Sequence, residues 1–315
     1  MKKILSTFLR IGISASLLVF LFRQIDVRTL WAYLRTADPV LLAAGFLFSA
    51  GVYVLCFFRW EMLLRGSGIT LGKMAVLRPF AGGIFFNMFL PSTVGGDFVR
   101  GADLSISTKK TGLVVATVFL DRLSGYIGLV IVACCALFAG RDLGLDAKVY
   151  LVIAGLAAGL SGLLLVLFNG AVYAWFERVF KYKGAGRIRT LIGEVHSHLY
   201  LFRTKKRLFF GNVLISLFLQ CLSPVSSYLV CRSLGFDVQI VYFFVFMPVI
   251  AAVTLLPISL GGIGLREVTV VALFTQIGLE KNGAFFLSLA GTFYGFVIAA
   301  AAGLLYVFTL YNRRV

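Results

Sequence analysis

"LPSTVGGDFVRG", residues 90–101, sets a proline, a glycine pair, an aspartate and an arginine inside an otherwise apolar stretch, and the fold turns on why the chain breaks there. Its surroundings define the setting. Of 315 residues, 60% are hydrophobic and 14% charged, and the mean hydropathy is +0.97, which no ordinary soluble domain matches. Successive apolar runs, each near the 20 residues that cross a bilayer as a helix, read as one all-α polytopic membrane protein.

These runs fall at residues 1–22 and at about 40–58, 123–139, 149–168, 208–231 and 284–310, with two interrupted stretches at about 75–93 and 240–277. The first starts with Lys2 and Lys3 as a signal peptide does, but Arg10 interrupts it and no small-residue cleavage site follows. It reads as a retained helix. The chain 1–315 is then a single membrane domain, with half-repeats at about 40–170 and 208–310 on either side of a polar linker at 171–207.

The linker carries nine basic residues against Glu177 and Glu194, so it belongs in the cytoplasm. Ile188, Leu191, Ile192, Val195, Leu199 and Phe202 recur in it at helical spacing. An amphipathic helix on anionic inner-leaflet lipid and a linker helix packed on the bundle suit that pattern equally. The formal net charge of +17 collects between apolar runs, where it orients the protein and meets anionic lipid; it does not point to nucleic acid. The five cysteines lie in or beside apolar runs without CxxC spacing and read as packing residues, with no metal or other cofactor implied. Trp31, Trp60 and Trp175 sit where interfacial anchors are expected.

The opening stretch has a partner. "LPSTVGGDFVR" at 90–100 aligns without gaps to "LPISLGGIGLR" at 256–266, in the pattern L-P-x-x-x-G-G-x-x-x-R. Arg59, Arg65 and Lys73 precede the first copy and Lys109 and Lys110 follow it, so both its ends should be cytoplasmic. Arg232 with Asp237 and Glu280 with Lys281 flank the second, which suits two external ends. Six full spans plus two oppositely directed re-entrant hairpins make an inverted repeat with both termini in the cytoplasm; the alternative is eight full spans.

Irregular backbone at membrane depth is tolerated where it lines an enclosed or wet cavity, and proline and glycine supply it: Pro91, Gly95 and Gly96 in one turn, Pro257, Gly261, Gly262 and Gly264 in the other. The helix resuming after each glycine pair aims free N–H groups and a positive dipole end into that cavity. Arg100 and Arg266 lie one turn further in and add full positive charge, with Arg78, Asn87 and Arg122 close by in sequence. Such a site suits an anion, phosphate first of all. Asp97, Asp103, Asp121 and Glu267 stand near enough to pair with these arginines or to carry protons.

"RPFAGGIFFNMFLPSTVGGDFVRGADLS" at 78–105, "TVFLDRLSG" at 117–125 and "LLPISLGGIGLREVTVVALF" at 255–274 resemble the flippase-like membrane domain of the lysylphosphatidylglycerol synthase family, in its stand-alone form. The resemblance implies a multi-pass protein of a bacterial or archaeal cytoplasmic membrane that moves a phospholipid, an aminoacyl-phospholipid or a polyprenyl-phosphate-linked sugar between leaflets. It also implies no synthase activity here, because the soluble transferase domain of full-length relatives follows the membrane part and this chain ends at Val315.

Two other classes stay open: a small-anion or drug transporter of the same architecture, and a lipid-phosphate glycosyltransferase. The second lacks support, since no nucleotide cradle and no GxSxG elbow occur, and His196 and His198 fall on different faces of any helix. "GLAAG" at 155–159 would pack inside the bundle or support a homodimer; a separate lipid-modifying enzyme is the other partner to expect.

Overall fold

The computed structural model describes residues 12, 16–17, 19–21, 23, 26–88, 90, 95–169, 195, 197, 205–256, 258–259 and 262–311, and every regular element among them is an α-helix. In chain order these are α1 (Val27–Thr36), α2 (Pro39–Gly66), α3 (Lys73–Asn87), α4 (Gly95–Thr108), α5 (Thr111–Ala139), α6 (Ala147–Phe168), α7 (Lys206–Ser233), α8 (Ile240–Leu255), α9 (Leu265–Gln276) and α10 (Lys281–Tyr311). Local chemistry starts them. The Asp38 carboxylate accepts the Val40 and Leu41 N–H groups ahead of Pro39, and Asp146 does the same for Lys148 at α6.

Five helices, α2, α5, α6, α7 and α10, are long and apolar enough to cross a membrane. They are five of the six full spans expected; the sixth, at 1–22, falls mostly outside the described residues, as does the basic linker at 171–207. Two spans run further than hydropathy predicts. α2 continues to Gly66, eight residues past the expected end, and α5 begins at Thr111, twelve residues before the expected start at Leu123. The added turns contain Arg59, Asp121 and Arg122, charges that lower a hydropathy window although all three lie inside helices.

The interrupted stretches are antiparallel helix pairs. α3 and α4 have 15 and 14 residues, α8 and α9 have 16 and 12, which at 1.5 Å per residue falls short of the ~30 Å hydrocarbon core. Because each pair folds back on itself, neither stretch is the single full crossing that an eight-span count needs. α2 and α7 also run antiparallel: the Asp38 N–H donates to the Ser233 carbonyl at 2.9 Å, and the Lys205 ammonium donates to the Gly66 carbonyl at 2.6 Å. The α3–α4 hairpin leaves from the Gly66 end of α2, and the α8–α9 hairpin leaves from Ser233, at the opposite end. The two hairpins therefore enter the bundle from opposite faces.

Lipid offers apolar side chains no penalty, so close backbone approach and packing hold such a bundle together. Gly45 lets α2 meet α7, where Ser226 Oγ–H donates to the Gly45 carbonyl at 2.7 Å. α3 and α4 close through Gly83 and Gly96, backbone against backbone. One apolar cluster surrounds Phe243, Phe246 and Phe274, with ring centroids of Phe243 and Phe274 at 4.9 Å; a second surrounds Phe57, Trp60, Phe80 and Leu104. Trp60 is fully buried here and anchors nothing at an interface, unlike exposed Trp31; Trp175 lies outside the described residues. A side chain built on Gly155 or Gly159 would touch nothing among the described residues, so the GxxxG of α6 packs against none of the described helices.

Candidate functional site

Both hairpins end at one cavity of about 520 Å³, with α2, α5, α7 and α10 forming the rest of its wall. Its described lining includes Asn87, Gly96, Asp97 and Arg100 from the first hairpin, Gly262, Arg266 and Glu267 from the second, and Arg59, Asp121 and Arg122 from the spans. Of the residues singled out by sequence, Arg78 and Asp103 do not line it: they pair with each other at 3.0 Å beside the α3–α4 arm. Gly95 and Gly264 begin α4 and precede α9, respectively, and Pro91, Pro257 and Gly261 lie outside the described residues.

The charged groups on the first-hairpin side form one alternating chain. Arg59 Nε donates to Asp121 Oδ1 at 2.7 Å, Asp121 Oδ2 accepts from Arg100 at 2.8 Å, Arg100 reaches Asp97 Oδ1 at 2.9 Å, and Arg122 Nε donates to Asp97 Oδ2. Arg59 also donates to Ser216 Oγ at 3.0 Å, which ties α2 to α7 at the same point. The Arg100 guanidinium lies over the Trp60 ring at 4.8 Å from its centroid. With Asp121 at 3% and Arg100 at 5% exposure, such charges persist only because each finds its counter-charge.

The second-hairpin side is built differently. Gly262 and Gly264 both hold positive φ, at 84° and 83°, a region open to glycine and strained for other residues, and the turn carries the chain straight into α9. The Glu267 carboxylate folds back to accept the Gly264 N–H at 2.6 Å, while its other oxygen accepts from Ser288 and Thr292. In the first hairpin, Asn87 Oδ1 accepts the Gly96 N–H at 3.3 Å. Side chains thus occupy an N–H at each helix start, where free groups facing the cavity were expected. The full positive charges of the described lining come from arginine.

Arg266 has no carboxylate partner among the described residues. Its guanidinium instead rests against Gly291 of α10, so close that a Cβ built there would stand 2.6 Å from it. The repeat itself explains this. Asp97 sits three residues before Arg100 and pairs with it, whereas the aligned position before Arg266 is Ile263. Over the described lining, four arginines face three carboxylates, an excess of one positive charge.

Sequence reading missed Arg59, which it counted as a loop residue marking the cytoplasmic side. The hydroxyls of Ser49, Tyr53 and Ser223, which also line the cavity, went unnoticed too. A signal was present for Arg59: it lies within the helical run "CFFRWEMLLRG", next to a second charge, Glu61, that is also buried and pairs with Arg65.

Fold and site define a polytopic α-helical membrane protein with a charged cavity at the meeting of two inverted hairpins. Residues 7–313 match the family described as the lysylphosphatidylglycerol synthase TM region, and the chain belongs to that family. It is similar along its whole length to the UPF0104 membrane protein PH1989 of Pyrococcus horikoshii, with 26% identity over 341 aligned positions that cover 100% of this chain and 98% of the relative.

Proposed function

We propose that this protein is a lipid translocase that passes a phosphate-bearing headgroup between leaflets through the hairpin-lined cavity. The observation that carries this reading is Arg266: a cation in a cavity between the spanning helices, at the start of α9, with no carboxylate partner among the described residues. A guanidinium in that setting is stabilised by a phosphate oxyanion arriving from outside the protein. Arg100, held by Asp97 and Asp121, keeps the first hairpin in place and adds to the field. The acyl or prenyl chains would stay in the bilayer beside the bundle.

The same reading places the protein in a cytoplasmic membrane, with the linker at 171–207 and both termini inside and anionic inner-leaflet lipid against the linker. Runs of similar length, α2 to α5 and α7 to α10, support two half-repeats: 28, 15, 14 and 29 residues against 28, 16, 12 and 31. Leaflet exchange of labelled anionic lipids in liposomes holding the purified protein tests the proposal. Exchange should require Arg266, survive partly in Arg266→Lys, and fail in Arg266→Ala with the fold intact. Flux of inorganic anions without lipid exchange would assign the cavity to a small-anion transporter.

A further inference from the structure

The translocase proposal leaves three headgroup chemistries open, and the cavity discriminates among them. Each of the three lining carboxylates has both oxygens engaged. Asp121 holds Arg59 and Arg100; Asp97 holds Arg100 and Arg122; Glu267 takes the Gly264 N–H with one oxygen and the Ser288 and Thr292 hydroxyls with the other. An ammonium group entering the cavity would find no free carboxylate among the described residues. It would also meet the net positive charge of the described lining.

The polar groups left without a hydrogen-bond partner among the described residues are of another kind. Beside the buried Nε of Arg100 and the guanidinium of Arg266, they include the neutral hydroxyls of Ser49, Tyr53 and Ser223 and the amide nitrogen of Asn87, spread over α2, α3 and α7. Neutral donors and acceptors of this sort pair with hydroxyl groups, and leaving them dry costs free energy unless water or a ligand fills the space. A cavity of about 520 Å³ admits a phosphodiester together with one such substituent.

Resting on the translocase reading, we infer that the headgroup is a phosphodiester bearing a neutral, hydroxyl-rich substituent, glycerol or a sugar, with the phosphate on Arg266 and the hydroxyls on the Ser49, Tyr53 and Ser223 wall. An aminoacylated headgroup, with its ammonium groups, is the poor substrate. Phosphatidylglycerol and a polyprenyl-phosphate hexose share the required chemistry and differ in how many hydroxyls they present.

The experiment compares four labelled lipids in liposomes containing the full-length protein: phosphatidylglycerol, polyprenyl-phosphate hexose, lysyl-phosphatidylglycerol and phosphatidylethanolamine. Binding of the same lipids is measured in parallel by native mass spectrometry. Phosphatidylglycerol or the hexose lipid should exchange and bind at least about tenfold better than the two ammonium-bearing lipids, the least that a like charge near Arg266 implies. The better of the two identifies the source. Ser49→Ala with Ser223→Ala should shrink the preference for the hexose lipid over a bare polyprenyl phosphate, which is measured as a fifth probe; an undiminished preference would overturn the assignment of the hydroxyls to that wall. Equal or better handling of lysyl-phosphatidylglycerol would overturn the headgroup assignment and leave the translocase intact. Loss of exchange and binding for all four would overturn both.

Discussion

Replacing Gly96 with alanine tests how the hairpin frames the cavity. A Cβ on Gly96 would lie 2.1 Å from the Gly83 carbonyl oxygen and 2.8 Å from Asn87 Cβ, so α4 must move off α3 by more than 1 Å. Backbone atoms on the far side cannot rotate away, which places the cost at the upper end of overpacking, about 2–3 kcal/mol even after the gain in helix propensity. Asp97 and Arg100 ride on α4, and a shift of that size breaks their contacts with Arg122 and Asp121. Gly101→Ala is the internal control: its Cβ meets only Val118 Cγ2 at 3.8 Å, an ordinary contact, so this variant should be neutral or stabilised by up to ~1 kcal/mol. Gly95→Ala should also destabilise, because its Cβ meets Leu90 Cβ at 2.6 Å, an atom that moves only with its backbone, though without the clash on a carbonyl oxygen that Gly96→Ala has. Unfolding in mixed micelles by titrated denaturing detergent ranks the three, and leaflet exchange is read on the same preparations. Gly96→Ala behaving like Gly101→Ala in both assays would refute the packing of the hairpin as described.

Three further substitutions probe the charged groups in and around the cavity. Asp121→Asn removes the counter-charge shared by Arg59 and Arg100 and should cost about 3–5 kcal/mol, the range for a broken buried pair; in a double-mutant cycle with Arg59→Met the losses should be clearly less than additive. Gly291→Ala crowds the Arg266 guanidinium from 2.6 Å and should lower lipid exchange several-fold with little loss of stability, because a long side chain can yield where backbone cannot; unchanged exchange would show that Arg266 works from another position. Arg78→Gln breaks a pair whose Asp103 side chain is 23% exposed and which lies outside the cavity, so stability should fall by about 1 kcal/mol and exchange should stay within twofold of the parent protein.

The sequence makes the hairpins legible because backbone breaks in a membrane have few causes: a proline and a glycine pair repeated at 90–96 and 256–262 admit little else. Span limits are less legible. Hydropathy averages over a window and reads Arg59 or Asp121 as the approach of water, although each is matched by a counter-charge on another helix. Which residues meet across helices depends on rotation about each helix axis, and a single chain without its partners does not encode that locally. Arg78 shows the reverse error: it lies beside the motif in sequence, yet it sits one helix face away from the cavity and is satisfied by Asp103. The glycine contacts, Gly96 on Gly83 and Gly291 under Arg266, were equally hidden among 33 glycines until the helices were docked.

The imbalance between the two copies of the motif is what converts a structural repeat into a site. If Ile263 were an aspartate, a carboxylate would stand three residues before Arg266 as Asp97 stands before Arg100, and the formal charges of the described lining would balance. If Asp97 were apolar, Arg100 would be left to share Asp121 with Arg59, and the buried charge of the first hairpin would be held less well. One copy is therefore self-sufficient, and holds its hairpin in place whether or not cargo is present. Under the proposed function the other copy would be completed by the cargo, and occupancy by a phosphate would change the stability of the second hairpin far more than that of the first. A translocase needs such a difference, since a cargo moves an equilibrium only by as much as it binds the alternative arrangements unequally. Hydrogen exchange on α9 and α4, with and without phosphatidylglycerol, measures it directly: protection should rise at Leu265–Gln276 and stay flat at Gly95–Thr108, and equal protection of both would remove the second hairpin from its assigned role.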